Sequence, residues 1–325
     1  MTRPRVYITR RMPRQAIDIV AQACDYRMWD NEEDPVPRDV LLREVAECDG
    51  VLALITEKID SELLEAAPRL RIVANMAVGY DNVDLPALNE RGVLLTNTPG
   101  VLTDTTADLT WALMMAAARR IVEGQKLIEA GKWGAWSPMF MVGQDISGAT
   151  LGIVGAGRIG STLARRARGF DMRILYHNRR PSPELEAASG AEYRAFDDLL
   201  READFVVALV PLSAETRGMF GAREFALMKD TAVFVNVARG PIVKENDLAD
   251  ALAKGRPWAA GLDVFDHEPI GADHPLLQLP NLVATPHIGS ASVATRTRMA
   301  ATAARNLAEF LSGRPAPNPV NAEVL

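Results

Sequence analysis

The sequence predicts an α/β protein made of two doubly wound parallel sheets. Short apolar, β-branched runs recur along the whole chain, and helix-length segments separate them. The length of 325 residues suits about two domains at roughly 150 residues each. Hydrophobic residues make up 48% and charged residues 24%, so the chain can bury large cores and is not disordered.

The first block of runs covers residues 1–98, with strands predicted at 6–9, 51–55, 71–76 and 93–97 and helices at 38–47 and 61–66. A long helical stretch follows at 103–120, where Asp104 and Thr105 are the predicted caps. The second block starts at Thr150. Its strands are predicted at 151–155, 173–177, 205–210, 232–237, 261–265 and 282–285, with helices at 159–170 and 245–253. A last helix at 292–311 is expected to pack back onto the first block. The tail 314–321 reads as loop through Pro315, Pro317 and Pro319.

Composition narrows the function classes. With 36 Lys and Arg against 42 Asp and Glu, the net charge is −6, which argues against a general binder of nucleic acid or membrane surfaces. The apolar run at 6–8 is too short for a signal peptide. The longest apolar run, 111–118, is far below the ~18 residues that span a bilayer. Cys24 and Cys48 cannot build a disulfide framework. A cytoplasmic location is expected, and no clustered ligands point to a metal.

The strongest motif is G-x-G-x-x-G at Gly155, Gly157 and Gly160, which leaves an apolar strand and enters a helix. That context is the dinucleotide fingerprint of a Rossmann-like domain. Gly155 allows the tight turn, Gly157 a close backbone approach to a pyrophosphate, and Gly160 close helix–strand packing. The next strand ends in Asn178-Arg179-Arg180, where an NAD site usually carries an acid. An acid repels a 2′-phosphate, whereas Arg179 and Arg180 can hold one. The expected cofactor is therefore NADP(H) in preference to NAD(H). Arg165, Arg166 and Arg168 read as a solvated helix face.

In such sheets ligands lie beyond the carboxyl ends of the strands. Three later strand ends carry Arg239, Glu268 and His287. Taken singly, each has a structural explanation: an ion pair, a surface acid, a core histidine. Together, downstream of the fingerprint, they suit hydride transfer to a 2-keto acid. His287 serves as acid and base near neutral pH, Glu268 favours its imidazolium, and Arg239 clamps the substrate carboxylate and polarises the carbonyl. His267 ranks below His287, and His177 and His274 receive no role.

At this point the chain resembles the D-isomer-specific 2-hydroxyacid dehydrogenase family, with its glyoxylate/hydroxypyruvate reductase branch as the nearest match. The matching stretches are VANMAVGYDNVD (73–84), NTPGVLTD (97–104), GIVGAGRIG (152–160), NVARG (236–240), GLDVF (261–265) and PHIGS (286–290). The resemblance implies a discontinuous substrate domain, 1–100 plus 289–325, and an inserted dinucleotide-binding domain, 101–288, with a cleft between them. It places the family's Arg, Glu and His at Arg239, Glu268 and His287, and its carboxylate-binding backbone at Val78-Gly79. It implies a homodimer in which a tryptophan, matched by Trp136, enters the neighbouring subunit's pocket. The segment 133–141, with two tryptophans and two methionines, is itself an interface candidate.

The substrate contacts expected are thus Val78, Gly79, Ser290 and the neighbour's Trp136. The cofactor set is Gly155, Gly157, Arg158, Ile159, Gly160, Asn178, Arg179 and Arg180. Later strand ends add Pro211, Thr216, Val237, Asp263 and Gly289. Departures from related enzymes also speak. Phosphite dehydrogenases have lysine at the position of Val78, and formate dehydrogenases lack the partner that Glu268 supplies. The regulatory domain of many phosphoglycerate dehydrogenases finds no room after the last helix. The expected activity is NADPH-dependent reduction of glyoxylate and hydroxypyruvate. Two alternatives stay open: a reductase of a larger 2-keto acid such as 2-ketogluconate, and a nucleotide-sensing protein without turnover.

Overall fold

The structure is a computed structural model that describes residues 3–324. The chain forms two compact units, one from the residues up to Leu102 together with those from Ala291 onward, the other Thr103–Ser290.

The first unit holds five parallel strands: β1 (Arg5–Ile8), β2 (Asp25–Met28), β3 (Gly50–Ala53), β4 (Ile72–Asn75) and β5 (Leu94–Thr96), in the order β2-β1-β3-β4-β5. The order reverses at β1 and β3, so a crevice opens beyond the ends of those strands. Every residue of β3, β4 and β5 is buried, as both faces are covered by helices. Helices Arg14–Ala23 and Val293–Leu311 pack together on one face, as expected of the returning helix. Ser292 caps the latter by accepting from the Thr295 N–H at 3.1 Å. Strand β2 lies at the edge and is largely exposed. Its residues, Asp-Tyr-Arg-Met, carry no apolar run, which is why the sequence reading passed over it.

The other edge, β5, is closed by the tail. Pro319 bridges Thr96 antiparallel, and the Val320 N–H donates to the Leu95 carbonyl at 2.8 Å. Asn321, fully buried, accepts from the Leu95 N–H at 2.6 Å and donates to the Val93 carbonyl at 3.0 Å. The three-proline stretch expected as plain loop thus covers a sheet edge.

The second unit holds seven parallel strands: β6 (Thr150–Val154), β7 (Arg173–His177), β8 (Glu192–Tyr193), β9 (Phe205–Ala208), β10 (Val233–Asn236), β11 (Ala259–Leu262) and β12 (Leu282–Ala284). Their order is β12-β11-β10-β9-β6-β7-β8, so β6 and β9 flank the switch point. The two-residue β8 also escaped the sequence reading. Gly152 lets the helix Phe196–Glu202 press onto β6, since a Cβ there would stand 2.7 Å from a Leu199 methyl.

The stretch 103–120 is not one helix. A helix runs Thr103–Ala118, Arg120 takes the left-handed conformation at φ 54°, and a second helix follows at Ile121–Glu129. Asp104 and Thr105 lie inside the first turn rather than at the cap. Asp104 still meets the positive end of the helix dipole there. Arg166 is not simply solvated: it pairs with Asp108 at 2.9 Å and Asp104 at 3.5 Å. Both cysteines are buried, and burial pushes their thiols up to about 11.

Replacing Asn321 with Ala leaves the buried Leu95 N–H of β5 and the Val93 carbonyl just before it without this partner. We expect a loss of about 2–4 kcal/mol, read as a lower urea midpoint at unchanged slope.

Candidate active site

The glycine-rich turn leaves β6 at the switch point of the second sheet. Gly155 has φ +97°, and a Cβ on it would lie 2.6 Å from the Val210 backbone nitrogen. Only glycine fits that close approach. Gly157 faces open space and caps the helix Arg158–Ala167. Gly160 stands within 3.0 Å of the Gly155 carbonyl and Ile153 as measured from a built Cβ. Arg158 and Ile159 form the first helical turn, whose free N–H groups favour an anion. The turn is open at Gly157 and leads into those free N–H groups, which fits the phosphates of a dinucleotide.

Asn178, just past β7, grips this turn. Its Oδ1 accepts from the Ala156 N–H at 2.7 Å and its Nδ2 donates to the Ala156 carbonyl at 3.4 Å. Arg179 and Arg180 beyond it are exposed. Arg179 lies in the field of Glu215, whose carboxylate is held below its usual range first by the Ser213 hydroxyl. Thr216 ties the neighbouring loop, with its hydroxyl donating to the Pro211 carbonyl at 2.6 Å and accepting from the Ser213 N–H at 2.8 Å.

Arg239 sits three residues beyond β10. Asn236, the buried last residue of that strand, closes the turn between them. Its Nδ2 donates to the Arg239 carbonyl at 2.9 Å and its Oδ1 accepts from the Ala238 N–H at 3.0 Å. Val237 is buried at the same strand end. Gly240 then passes so near the next loop that a Cβ would lie 1.8 Å from the Phe265 carbonyl carbon. The Arg239 loop thus rests directly on the Phe265-Asp266 peptide.

His287 and Glu268 meet. The His287 Nδ1 is 2.7 Å from the Glu268 Oε2, and both side chains are about one-third exposed. The hydrogen on that contact belongs to Nδ1, which leaves Nε2 as the reactive nitrogen. The Glu268 Oε1 accepts from the Phe265 N–H at 2.9 Å. Burial pushes the Glu268 carboxyl up. The His287 hydrogen bond and charge, the Phe265 N–H and the Arg239 charge outweigh it and hold the carboxyl below its usual range. His267, by contrast, is nearly fully exposed and pairs only with Asp266, at 3.6 Å.

Asp263 shapes the His287 turn. Strand β11 ends at Leu262, earlier than its sequence suggested, and Asp263 is the first residue beyond it. Though 1% exposed, it accepts from the Thr285 hydroxyl at 2.6 Å and from the Ile288 and Gly289 N–H groups, both at 2.8 Å. Burial pushes this carboxyl above its usual range, against the pull of those three donors. His287 adopts φ +53°, a left-handed conformation uncommon outside glycine, though histidine takes it more readily than most side chains. Ser290 follows the turn and is half-buried.

The first unit presents a second arrangement. Past β4, the Val78 carbonyl accepts from the Asn97 amide at 2.9 Å and the Gly79 carbonyl from the Asn75 amide at 3.1 Å. A trans peptide sets its N–H opposite its carbonyl. The N–H groups of Gly79 and Tyr80 therefore turn away from those amides. Elsewhere, Trp136 is 82% exposed in a segment where Trp133 and Met139 are also open to solvent. Asn75, Asn97 and Asn236 were missed as functional positions. A usable signal is shared by two of them: a buried Asn closes each of the apolar runs Ile72–Asn75 and Val233–Asn236.

The switch-point glycine turn and the Arg, Glu and His at neighbouring strand ends define a dinucleotide-dependent oxidoreductase. The family described as "D-isomer specific 2-hydroxyacid dehydrogenase, NAD binding domain" matches residues 111–289. Among curated proteins, the glyoxylate reductase of Thermococcus kodakarensis is 48% identical over 99% of this chain and 98% of its own length. That of Aeropyrum pernix is 47% identical over 100% of this chain and 98% of its own. Among solved structures, a Thermus thermophilus protein superposes with a TM-score of 0.91 at 43% identity, covering 97% of this chain and 99% of its own. An NADPH-dependent glyoxylate/hydroxypyruvate reductase from Sinorhizobium meliloti, in complex with NADP and malonate, gives 0.84 at 32% identity, covering 99% and 98%. The chain belongs to the D-isomer specific 2-hydroxyacid dehydrogenase family. Among the described residues, no helix is long and apolar enough to cross a membrane.

Asp263→Asn puts an amide N–H against backbone donors of the His287 turn. We expect kcat to fall by roughly tenfold or more, together with a lower thermal midpoint, in steady-state assays and thermal melts of one preparation.

Proposed function

We propose that the protein is an NADPH-dependent reductase of small 2-keto acids, converting glyoxylate to glycolate and hydroxypyruvate to D-glycerate. The observation that carries this reading is the 2.7 Å His287–Glu268 contact at strand ends of the sheet that bears the glycine turn. The names of the relatives support the substrate class.

The nicotinamide cofactor, when bound, supplies the hydride. Gly155, Gly157, Arg158, Ile159 and Gly160 hold its pyrophosphate, with Asn178 keeping the turn in shape. Arg179 and Arg180 take the 2′-phosphate. The loop of Pro211 and Thr216 and the strand-end residues Val237, Asp263 and Gly289 complete the assigned cofactor set. His287 Nε2 gives its proton to the substrate oxygen as that oxygen gains negative charge. Glu268, hydrogen-bonded to Nδ1, keeps the ring oriented with Nε2 toward the substrate. Arg239 offers a charged planar fork to the keto acid and polarises its carbonyl. The backbone at Val78-Gly79 binds a carboxylate, and Ser290 adds a hydroxyl. Val78 supplies no charged side chain, which suits an organic keto acid better than an inorganic anion.

We further propose a homodimer in which Trp136 serves the neighbouring subunit. A patch this apolar and this exposed is unusual for a free surface. Sedimentation at micromolar concentration is expected to give a dimer, and Trp136→Ala to raise the Michaelis constant for glyoxylate.

Oxidation of NADPH and NADH followed with glyoxylate, hydroxypyruvate, pyruvate and 2-ketogluconate tests the central reading. Rapid NADPH oxidation with the first two is expected. Turnover with 2-ketogluconate alone overturns the substrate, and tight cofactor binding without any turnover favours a nucleotide sensor. In the same assay His287→Ala is expected to lower kcat by about 10²–10⁴-fold while NADPH still binds. Replacing Arg179 and Arg180 by Ala is expected to raise the Michaelis constant for NADPH far more than for NADH.

A further inference from the structure

The successive backbone N–H groups of Phe265 and Asp266 are each held by a glutamate, and each glutamate lies against a histidine. Glu268 accepts from the Phe265 N–H at 2.9 Å and contacts His287 at 2.7 Å. On the other side, the Glu245 Oε1 accepts from the Asp266 N–H at 2.8 Å, and its Oε2 lies 3.3 Å from the His274 Nε2. Glu245 opens the helix Glu245–Ala253, and His274 precedes a short 3-10 turn. The side chains of this second pair are only about one-fifth exposed, less than those of His287 and Glu268.

We propose that Glu245 and His274 are positioning residues that fix the loop bearing Glu268, and through it the orientation of His287. The inference rests on reading His287 and Glu268 as the acid–base pair.

The chemistry of the pair suits a clamp. The His274 Nε2 faces a carboxylate, so it carries the hydrogen in that contact. Its Nδ1 is buried with no partner, which is tolerable for a bare lone pair and costly for an N–H. The ring thus turns its Nε2 edge toward Glu245, 3.3 Å away. The ring edge also packs against Phe265, with centroids 5.8 Å apart at 73°. Phe265 is therefore gripped at its side chain by His274 and at its N–H by Glu268. Gly240 presses on the same peptide from the Arg239 side. A carboxylate that accepts from a backbone N–H makes a charge-assisted bond, stronger than a neutral one. Loosening it lets the Glu268 carboxylate drift from Nδ1, and small displacements of such groups are expensive in rate.

The test is a double-mutant cycle of Glu245→Ala and Glu268→Gln, with kcat and the NADPH dissociation constant measured separately. Glu245→Ala is expected to lower kcat by roughly tenfold or more and to leave NADPH binding unchanged. Glu245→Gln keeps an oxygen for the Asp266 N–H and is expected to retain most of the rate. In the Glu268→Gln background, Glu245→Ala is expected to add no further loss. An unchanged kcat in Glu245→Ala, or the same fold-loss in both backgrounds, overturns the proposal. If Glu268→Gln alone retains full kcat, the acid–base reading fails, and the proposal fails with it. Should Glu245→Ala not fold, His274→Phe, which keeps the ring contact and removes the N–H, enters the cycle with the same expectations.

Discussion

A carboxylate hidden from water organises the strand-end loops that carry His287 and Glu268 in the second unit. Asp263 is taken out of solvent at a real electrostatic cost. Thr285, Ile288 and Gly289 offset that cost by donating to it. The bonds run from one strand end to the next, so they join β11 to the turn after β12. That turn has no regular ladder of its own to hold it. The His287 N–H adds backbone bonds to the Asp263 and Thr285 carbonyls, and the carboxylate fixes the residues on either side of His287. Gly289 shows how tight the arrangement is, since a Cβ there would stand 3.2 Å from an Asp263 oxygen.

The two units use one device in two places. A buried asparagine ends an apolar strand and donates its amide to a carbonyl in the loop beyond: Asn75 to Gly79, Asn236 to Arg239. An asparagine suits this task because it offers two donors and an acceptor without a charge to bury. The strand fixes the amide, and the amide fixes the loop. Function is thereby placed on loops whose geometry is set by the sheet.

Much of this was legible in the sequence, for physical reasons. The strands buried on both faces are short apolar runs, and all of these were readable. Strands β2 and β8 were not, because an exposed edge strand and a two-residue strand need no apolar run. The break at Arg120 was missed as well, since its residues carry no proline or glycine to announce it. At the site, strand-end position and residue chemistry singled out Arg239, Glu268 and His287. The residues that aim them were harder to find. Asn236 acts two and three residues along its own loop, and its one sign is the Asn that closes an apolar run; Glu245 and the bonding role of Asp263 depend on partners distant in sequence, and spacing along the chain carries no sign of them. Asn178 was assigned to the cofactor, yet both polar groups of its side chain are engaged by Ala156.

The left-handed backbone at His287 has an evolutionary side. Glycine or asparagine would occupy that conformation with less strain, so the local fold would be better off without its histidine. Selection for stability alone would drift away from it. Under the proposed function the imidazole's chemistry offsets that strain, and a variant without turnover could relax this turn at no loss.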